Sequence, residues 1–432
     1  MITTVHNKII ISPNFIANNN NTTSQQKVKC LNINQLPYIV PGTSQFIRVT
    51  LALFFVGIAT FALLYCVQSI LPVLSYDFSI SPAQSSLSLS ISTGLLAIGL
   101  IFTGPLSDAF GRKLVMAVAL LLAVIFTLIC ALMVSWNGIL LMRALIGLSL
   151  SGVAAIGITY LNEEIHPNFV AFSIGLYISG NSIGGISGRL ITGVLTDFYS
   201  WRFALAMMSI LSLAAVGIFW YILPTSKHFQ ACLLRPSILI INFKLYWNDE
   251  KMSLLCAEGF LLMGSFVTMF NYISYRLLTA PYDLSQSIVS LLSLAYLTGT
   301  YSSPKAGTLT SRFGCGLVLW VSIIIMLAGI LITALSPLAI IFFGLVLFST
   351  GFFAAHSVAS SWVSMRAQRA KGQASSFYLS CYYIGSSFAG TIGGIFWHDY
   401  GWYGVIIFIS IMLLIALSVA HYLKRCPESL HT

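Results

Sequence analysis

Long runs of apolar residues recur along most of this chain, and they constrain the fold more than any other feature. The stretch from Leu114 to Val134, for example, carries no charged residue. About 20 apolar residues in a helix cross the hydrocarbon core of a bilayer. Charged residues make up only 7% of the chain, whereas a water-soluble domain carries about a quarter. These observations predict a polytopic membrane protein.

The fold class that we predict is all-α, with twelve transmembrane helices in two halves of six. A helix satisfies its own backbone in lipid, and the alternating ten-residue segments of a lipid-spanning barrel are absent. The predicted helices are 47–74, 85–106, 114–134, 138–161, 169–195, 203–223, 253–279, 286–304, 316–335, 338–362, 371–396 and 403–423. The predicted regions are a disordered cytoplasmic tail (1–45), an amino-terminal half (46–223), a cytoplasmic central loop (224–252) and a carboxy-terminal half (253–432).

The distribution of Lys and Arg predicts the orientation. With a cytoplasmic amino terminus, seventeen of the twenty-one lie on the cytoplasmic side; the others are Arg143, Arg189, Arg202 and Arg276. Cytoplasmic loops retain basic residues, so both termini are expected inside. The bases stand singly or in short groups, which argues against a nucleic-acid surface. The eight cysteines are scattered without a CxxC pair, so no metal site or cofactor is predicted.

The two halves repeat each other in sequence. Gly104, Leu106 and Gly111 recur 203 positions later as Gly307, Leu309 and Gly314, and Gly184, Gly193 and Trp201 recur 201 positions later as Gly385, Gly394 and Trp402. Two sequence-related halves, parallel about an axis along the membrane normal, are one design of secondary transporters.

The loop GPLSDAFGRK, Gly104–Lys113, places an acid and two bases between two apolar runs. Its spacing resembles the signature loop of the major facilitator superfamily. The resemblance implies a latch, in which Asp108 pairs with Arg112 and with the start of helix eleven near Lys371 and Gly372. Such a latch would stabilise the outward-open state.

The second copy of this loop, GTLTSRFG, has Ser311 at the position of the acid. A hydroxyl is a weaker partner than a carboxylate, so we expect one strong latch and one weak latch. The predicted latch residues are Gly104, Asp108, Gly111, Arg112, Gly307, Arg312 and Gly314.

Two further stretches resemble motifs of the superfamily, in its drug:proton antiporter-like branch. RALIGLSLSG on helix four contains Arg143, which the resemblance links to proton transfer; it could instead snorkel to the outer surface. GNSIGGISGR on helix five resembles the antiporter motif, but Asn181 replaces its proline. Arg189 there is either a contact for a substrate anion or an outer-end anchor. The glycines predicted to allow close helix packing are Gly147, Gly152, Gly180, Gly184, Gly185 and Gly188.

The resemblance implies a central path lined by helices one, four, seven and ten. Its predicted cavity residues are Tyr65, Gln68, Asn271, Tyr272 and Arg189, beside many aromatic residues of the second half. An apolar, aromatic cavity with few polar anchors suits an amphiphilic or weakly polar ligand.

Proton coupling needs a titratable group within the spans. Glu258 is the predicted intramembrane carboxylate, although it lies near enough to a helix end to reach water or Lys251. His356 is either a titrating group or a hydrogen-bonded core residue. With Arg143, these residues are the candidates for proton coupling.

The function that we expect is alternating-access transport of a small molecule across a bacterial inner membrane, coupled to protons and directed outward. Uptake, facilitated diffusion and a transporter-like sensor remain alternatives. The enzyme motifs GxxxxGK[ST] and HExxH are absent from the sequence. The expected partners are the substrate, protons and the lipid bilayer, and the expected assembly is a monomer.

Overall fold

Helices account for nearly all of the residues that the computed structural model describes, which are 38–227, 246–367 and 371–425. We number them α1 to α12 in chain order. In the first half they are α1 (Ser44–Tyr65, the 3-10 helix Cys66–Ile70 and Leu71–Asp77), α2 (Pro82–Phe110), α3 (Arg112–Leu132), α4 (Trp136–Glu164), α5 (Pro167–Phe198) and α6 (Trp201–Ile222). In the second half they are α7 (Glu250–Leu277), α8 (Gln286–Ser290, the 3-10 helix Leu291–Leu297 and Thr298–Phe313), α9 (Cys315–Ile332), α10 (Leu338–Arg366), α11 (371–400) and α12 (402–425).

Ten helical stretches within the described residues are long and apolar enough to cross a membrane. One of them holds both α11 and α12, which Gly401 separates with a φ of 59°. α8 adds a further span that a 3-10 helix interrupts. The prediction of twelve transmembrane helices is therefore confirmed, but α1 and α8 contain 3-10 segments that the apolar pattern did not reveal.

The helices alternate in direction, so the bundle has two ends. We call the end that carries Tyr38 and the loop at Gly111 the near end. The opposite end, which carries Asp77 and the loop at Ser285, is the far end. Four helices that begin at the far end have a serine at the cap position, where its oxygen accepts a backbone N–H; these caps are Ser81, Ser135, Ser200 and Ser285.

The backbone repeats the internal symmetry of the sequence. Gly111 and Gly314 precede α3 and α9 with φ values of 93° and 78°, which a residue with a Cβ rarely adopts. A Cβ at Gly184 would lie 2.7 Å from the Ile58 Cα, and the equivalent Gly385 makes the same approach to α7. The pairs α5–α1 and α11–α7 are therefore packed alike.

The predicted packing glycines lie at tight helix crossings, with one exception. Gly185 faces the guanidinium of Arg189, whose Nη1 atom would lie 3.2 Å from an added Cβ. The others face neighbouring helices: Gly147, Gly152, Gly180, Gly184 and Gly188 meet Ser92, Ala119, Phe54, Ile58 and Ala62 respectively.

Residues 38–43, which the structure describes ahead of α1, contact the first half. Ile39 donates its N–H to the Glu164 carbonyl at 2.9 Å and accepts from the His166 N–H at 3.1 Å. These bonds tie the chain before α1 to the end of α4. The rest of the predicted tail, 1–37, and most of the central loop, 228–245, lie outside the described residues.

Candidate functional site

Arg189 on α5 is buried where the two halves meet, with 5% of its surface exposed. Its Nε donates to the Gln68 Oε1 at 2.5 Å, and its Nη1 donates to the Gly185 carbonyl at 2.6 Å. The guanidinium carbon lies 4.5 Å from the ring centroids of both Tyr65 and Tyr296. Tyr65 belongs to the first half and Tyr296 to the second, so this cation contacts both halves.

A hydrogen-bonded pair of amides extends this site across the interface. The Gln68 Nε2 on α1 donates to the Asn271 Oδ1 on α7 at 2.7 Å. We call Tyr65, Gln68, Arg189, Asn271 and Tyr296 the Arg189 cluster. Four of its members are residues that the sequence predicts for the cavity, and the structure brings them together.

Tyr272, the remaining predicted cavity residue, lies elsewhere. It is fully buried, and its hydroxyl donates to the Gly390 carbonyl on α11 at 2.6 Å. The side chain therefore packs α7 against α11.

The carboxyl group of Glu258 on α7 is completely buried, and neither of its oxygens has a hydrogen-bond partner. The sequence left open that Glu258 pairs with Lys251 or reaches water. In the described part of the chain, Glu258 does neither. The neighbouring Gly259 packs against the ring of Tyr378, whose hydroxyl lies 3.0 Å from the Nδ1 of His356. The candidate coupling residues Glu258 and His356 therefore both lie near Tyr378.

Stacked aromatic rings connect these two sites. The ring centroids of Phe266 and Phe352 are 3.8 Å apart, and Phe352 stacks on His356 at 6.0 Å. Tyr296 contacts Phe266 at 4.9 Å and Phe270 at 4.7 Å. An aromatic surface of the second half thus extends from the Arg189 cluster to His356.

Arg143 on α4 lies in a different environment, inside the first half. It is 1% exposed, and its Nε donates to the Ser88 carbonyl at 2.9 Å. Its Nη1 and Nη2 donate to the Leu63 and Leu64 carbonyls at 3.0 and 2.6 Å. The Leu63 and Leu64 carbonyls lie in the last turn of the α-helix, just before the 3-10 helix Cys66–Ile70. Arg143 therefore braces α1 at this transition and does not snorkel.

At the near end, the charged groups of the first signature loop pair within their own half. Arg112 forms an ion pair with Asp108, and its Nη2 lies 2.7 Å from the Glu163 Oε1 on α4. Within the described residues, Asp108 has no partner on α11. A Cβ added at Gly104 or at Gly372 would meet nothing within 4 Å. The latch between this loop and the start of α11 stays a prediction.

The second signature loop also stands apart from the other half. The Ser311 hydroxyl donates to the Thr308 carbonyl at 2.7 Å, one turn earlier. Arg312 and Gly314 are exposed, and a Cβ at Gly307 would meet no atom within 4 Å.

At the far end, polar contacts join the two halves. The hydroxyl of Tyr275 on α7 lies 2.7 Å from the Ser75 Oγ and 2.6 Å from the Ser85 Oγ. The Asp197 Oδ2 accepts from the Ser287 Oγ at 2.6 Å and from its N–H at 3.2 Å. These hydrogen bonds join α1 and α2 to α7, and α5 to α8.

The pair α2–α11 packs closely near the far end. A Cβ at Gly394 would lie 2.5 Å from the Ala83 Cα, and farther along the Ser380 hydroxyl donates to the Ala97 carbonyl at 3.0 Å. A Cβ at Gly104, nearer the other end of α2, would meet nothing within 4 Å.

Sequence reasoning missed several residues of this site. Tyr296 and Asp197 gave no motif signal, although Asp197 is an acid at a helix end and could have been singled out. Glu163 was visible as an acid at the near end of α4, but its pairing with Arg112 depends on how the helices pack.

The described residues contain no group of three or more His, Cys, Asp or Glu placed to hold a metal ion. The geometry offers a buried cation between the two halves, and a buried carboxyl group and an aromatic surface in the second half. Such groups bind a molecule and respond to its charge.

Residues 53–390 match the model of the Major Facilitator Superfamily, so the chain belongs to this superfamily of membrane transporters. It is 67% identical over 388 residues to the inner membrane transport protein YnfM of Escherichia coli (strain K12). This alignment covers 90% of this chain and 93% of that protein. It is 49% identical over 380 residues to an uncharacterized transporter of Buchnera aphidicola subsp. Baizongia pistaciae (strain Bp), covering 88% and 94%.

Among solved structures, a mutant of the nucleoside transporter NupG superposes with a TM-score of 0.72 over 87% of this chain and 99% of that one. The identity of 15% makes this a likeness of fold. The predictions of a major facilitator fold and of a transporter rather than an enzyme are confirmed.

Proposed function

We propose that this protein is a proton-coupled secondary transporter that exports a small molecule across a bacterial inner membrane by alternating access. The observation that carries the proposal is the buried, unpartnered carboxyl group of Glu258 within a span. An ionisable side chain inside a membrane is functional by default, because its burial is costly. Glu258 would take up a proton when buried and release it when the site opens to water.

The surroundings of Glu258 support this role. Tyr378 lies beside it, and Tyr378 shares a hydrogen bond with His356 on α10. A proton that reaches Glu258 thus has hydroxyl and imidazole groups close by on two other helices of the same half. Movement of α10 or α11 would change what surrounds the carboxyl group.

The two ends of the bundle support alternating access. The far end is joined by Tyr275 and Asp197, whereas Asp108 at the near end pairs inside its own half. In the opposite state, Asp108 would meet the start of α11 and the far-end contacts would part. The signature loop would then act as the latch that the superfamily resemblance implies.

Orientation follows from the basic residues. The near end carries most Lys and Arg of the chain, among them Arg112, Lys113, Lys305 and Lys424. The positive-inside rule assigns this end and both termini to the cytoplasm. The outward direction rests on the resemblance to drug:proton antiporters.

Transport in everted membrane vesicles tests the proposal. Vesicles with and without the protein are energised to hold a pH gradient, and a pH-sensitive dye reports proton movement when each compound of a chemically varied panel is added. A substrate should release protons only in vesicles that contain the protein, and an ionophore should stop its accumulation. Flux that an ionophore does not affect would indicate facilitated diffusion, and absence of flux for the whole panel would favour a sensor.

A further inference from the structure

Arg189 carries a positive charge that nothing in its described surroundings balances. Its acceptors, the Gln68 Oε1 and the Gly185 carbonyl, are neutral. Isolating a charge from water is costly unless an opposite charge or several hydrogen bonds compensate. The faces of Tyr65 and Tyr296 supply cation–π attraction, which offsets only a part of that cost.

The way the rings hold the guanidinium leaves its donor edge available. The guanidinium carbon lies over the rings of both tyrosines, and among the described residues only Nε and Nη1 donate to an acceptor. Two of the five N–H donors have acceptors. A planar guanidinium with free donors in its plane matches a carboxylate, which accepts two parallel hydrogen bonds.

Further donors of the cluster are buried and unused. The Asn271 Nδ2 and the hydroxyls of Tyr65 and Tyr296 have no hydrogen-bond partner. Each such group costs free energy in an apolar interior, so native proteins seldom leave several together. An anion is the ligand that can accept from a guanidinium, an amide and hydroxyl groups at once.

A small cavity lies beside Arg189, between the halves. Its volume is about 20 Å³, enough for about one water-sized group, and its lining includes Gln68, Arg189 and Ser274. The 3-10 segments Cys66–Ile70 and Leu291–Leu297 both contribute to the wall. A 3-10 segment within a longer helix often marks a hinge, so the wall can widen when the halves move.

On the side of the second half, the cluster continues into the aromatic surface. Tyr296, which covers the guanidinium, also contacts Phe266 and Phe270. A ligand with its charge at Arg189 would therefore place its remaining part against aromatic rings, where an apolar body loses contact with water.

We propose that Arg189 binds the carboxylate of the transported molecule, and that the substrates are small organic carboxylates with an apolar or aromatic body. The assignment rests on the proposed transport function and deepens it. Arg189 supplies the charge, Asn271 and the two tyrosine hydroxyls complete the anion site, and the aromatic surface contacts the body.

Binding to the purified full-length protein tests the assignment. The probes are phenylacetate and 4-phenylbutyrate, each beside its neutral amide, with phenethylammonium as the cation and sodium chloride at equal ionic strength as the salt control. Thermal stability in detergent reports binding. We expect at least one of the two carboxylates to raise the melting temperature, and the amides, the cation and chloride to leave it unchanged.

Two variants link the effect to Arg189. Arg189→Gln should weaken carboxylate binding at least tenfold, and Arg189→Lys should weaken it less, because lysine keeps the charge but not the two parallel donors. An unchanged melting temperature with both carboxylates, an equal effect of the amides or of chloride, or undiminished binding by Arg189→Gln would each overturn the assignment. The wild-type probe series decides the matter even if a variant fails to fold.

The vesicle assay separates this assignment from the transport function. Proton release by amides or by phenethylammonium, and not by the carboxylates, would leave the transporter standing and overturn the anion site. Carboxylate binding that depends on Arg189, without flux of any compound, would support the site and contradict transport.

Discussion

Arg143 and Arg189 are both buried arginines within spans of the first half, yet their surroundings differ. Arg143 donates to three backbone carbonyls inside its own half. Arg189 has two neutral acceptors, lines a cavity and lies between tyrosine rings of both halves. All three guanidinium nitrogens of Arg143 donate to carbonyls, whereas the Nη2 of Arg189 has no acceptor among the described residues.

The largest effect is expected when the guanidinium of Arg143 is removed. In Arg143→Met, the carbonyls of Ser88, Leu63 and Leu64 lose their donor in a water-free interior. We expect a loss of about 2 kcal/mol or more in the free energy of unfolding, seen as a lower melting temperature in detergent. Arg189→Met is the matched control and should change the melting temperature far less. Equal losses in the two variants would show that the contacts of Arg143 do not set it apart.

Unlike the two arginines, the buried acid Glu258 has no hydrogen-bond partner at either oxygen. Glu258→Gln keeps the shape of the side chain but removes the group that would carry the proton. We expect accumulation driven by a pH gradient to fall at least tenfold in vesicles, while substrate binding and exchange are retained. Glu250→Gln, at the exposed start of the same helix, is the control. Continued accumulation against a gradient by Glu258→Gln would assign the coupling to another group, with His356 next to be tested.

Asp108 and Glu163, which pair with Arg112, belong to the same half as Arg112. Because Glu163 keeps that pairing when Asp108 is changed, we expect Asp108 to affect the equilibrium between states more than stability. In Asp108→Asn, Glu163 still pairs with Arg112, but the charge that would face the start of α11 is lost. A charge at a helix start is worth about 0.3–1 kcal/mol, so we expect a roughly two- to fivefold shift away from the outward-open state.

Labelling of a single cysteine introduced at Ser293, in a background without native cysteines, measures this shift. Residue 293 is buried in the present arrangement, so labelling from the far side reports opening there. Ser311→Ala should change the labelling rate less than twofold. Equal shifts for Asp108→Asn and Ser311→Ala would mean that both loops latch with similar strength.

The smallest expected effect concerns single hydroxyls. The Tyr65 hydroxyl is buried without a partner, whereas the Tyr160 hydroxyl donates to the Pro224 carbonyl at 2.9 Å. Tyr65→Phe should leave the free energy of unfolding within about 0.5 kcal/mol of wild type, and Tyr160→Phe should lower it by about 1 kcal/mol. A larger loss for Tyr65→Phe would show that its hydroxyl already has a partner in the ligand-free protein.

Much of the fold was predictable because a membrane restricts the alternatives. Apolar runs such as 114–134 lead to helices, and the glycines at 111 and 314 lead to turns at equivalent places. The breaks in α1 and α8 were not predictable, since neither Cys66–Ile70 nor Leu291–Leu297 contains a glycine or a proline. At the start of the first break, the Leu63 and Leu64 carbonyls accept from Arg143, which is distant in sequence.

The sequence by itself determined the number of spans, their grouping into two repeated halves and the candidate residues, because hydropathy, glycine positions and charge are local properties of the chain. Only the tertiary structure decided which candidate has which surroundings. The structure decided how many acceptors surround Arg143 and Arg189, and whether Glu258 has a hydrogen-bond partner. These surroundings consist of carbonyls, rings and hydroxyls that other helices bring within about 3 to 5 Å. Those distances result from packing, and no single segment of the sequence encodes them.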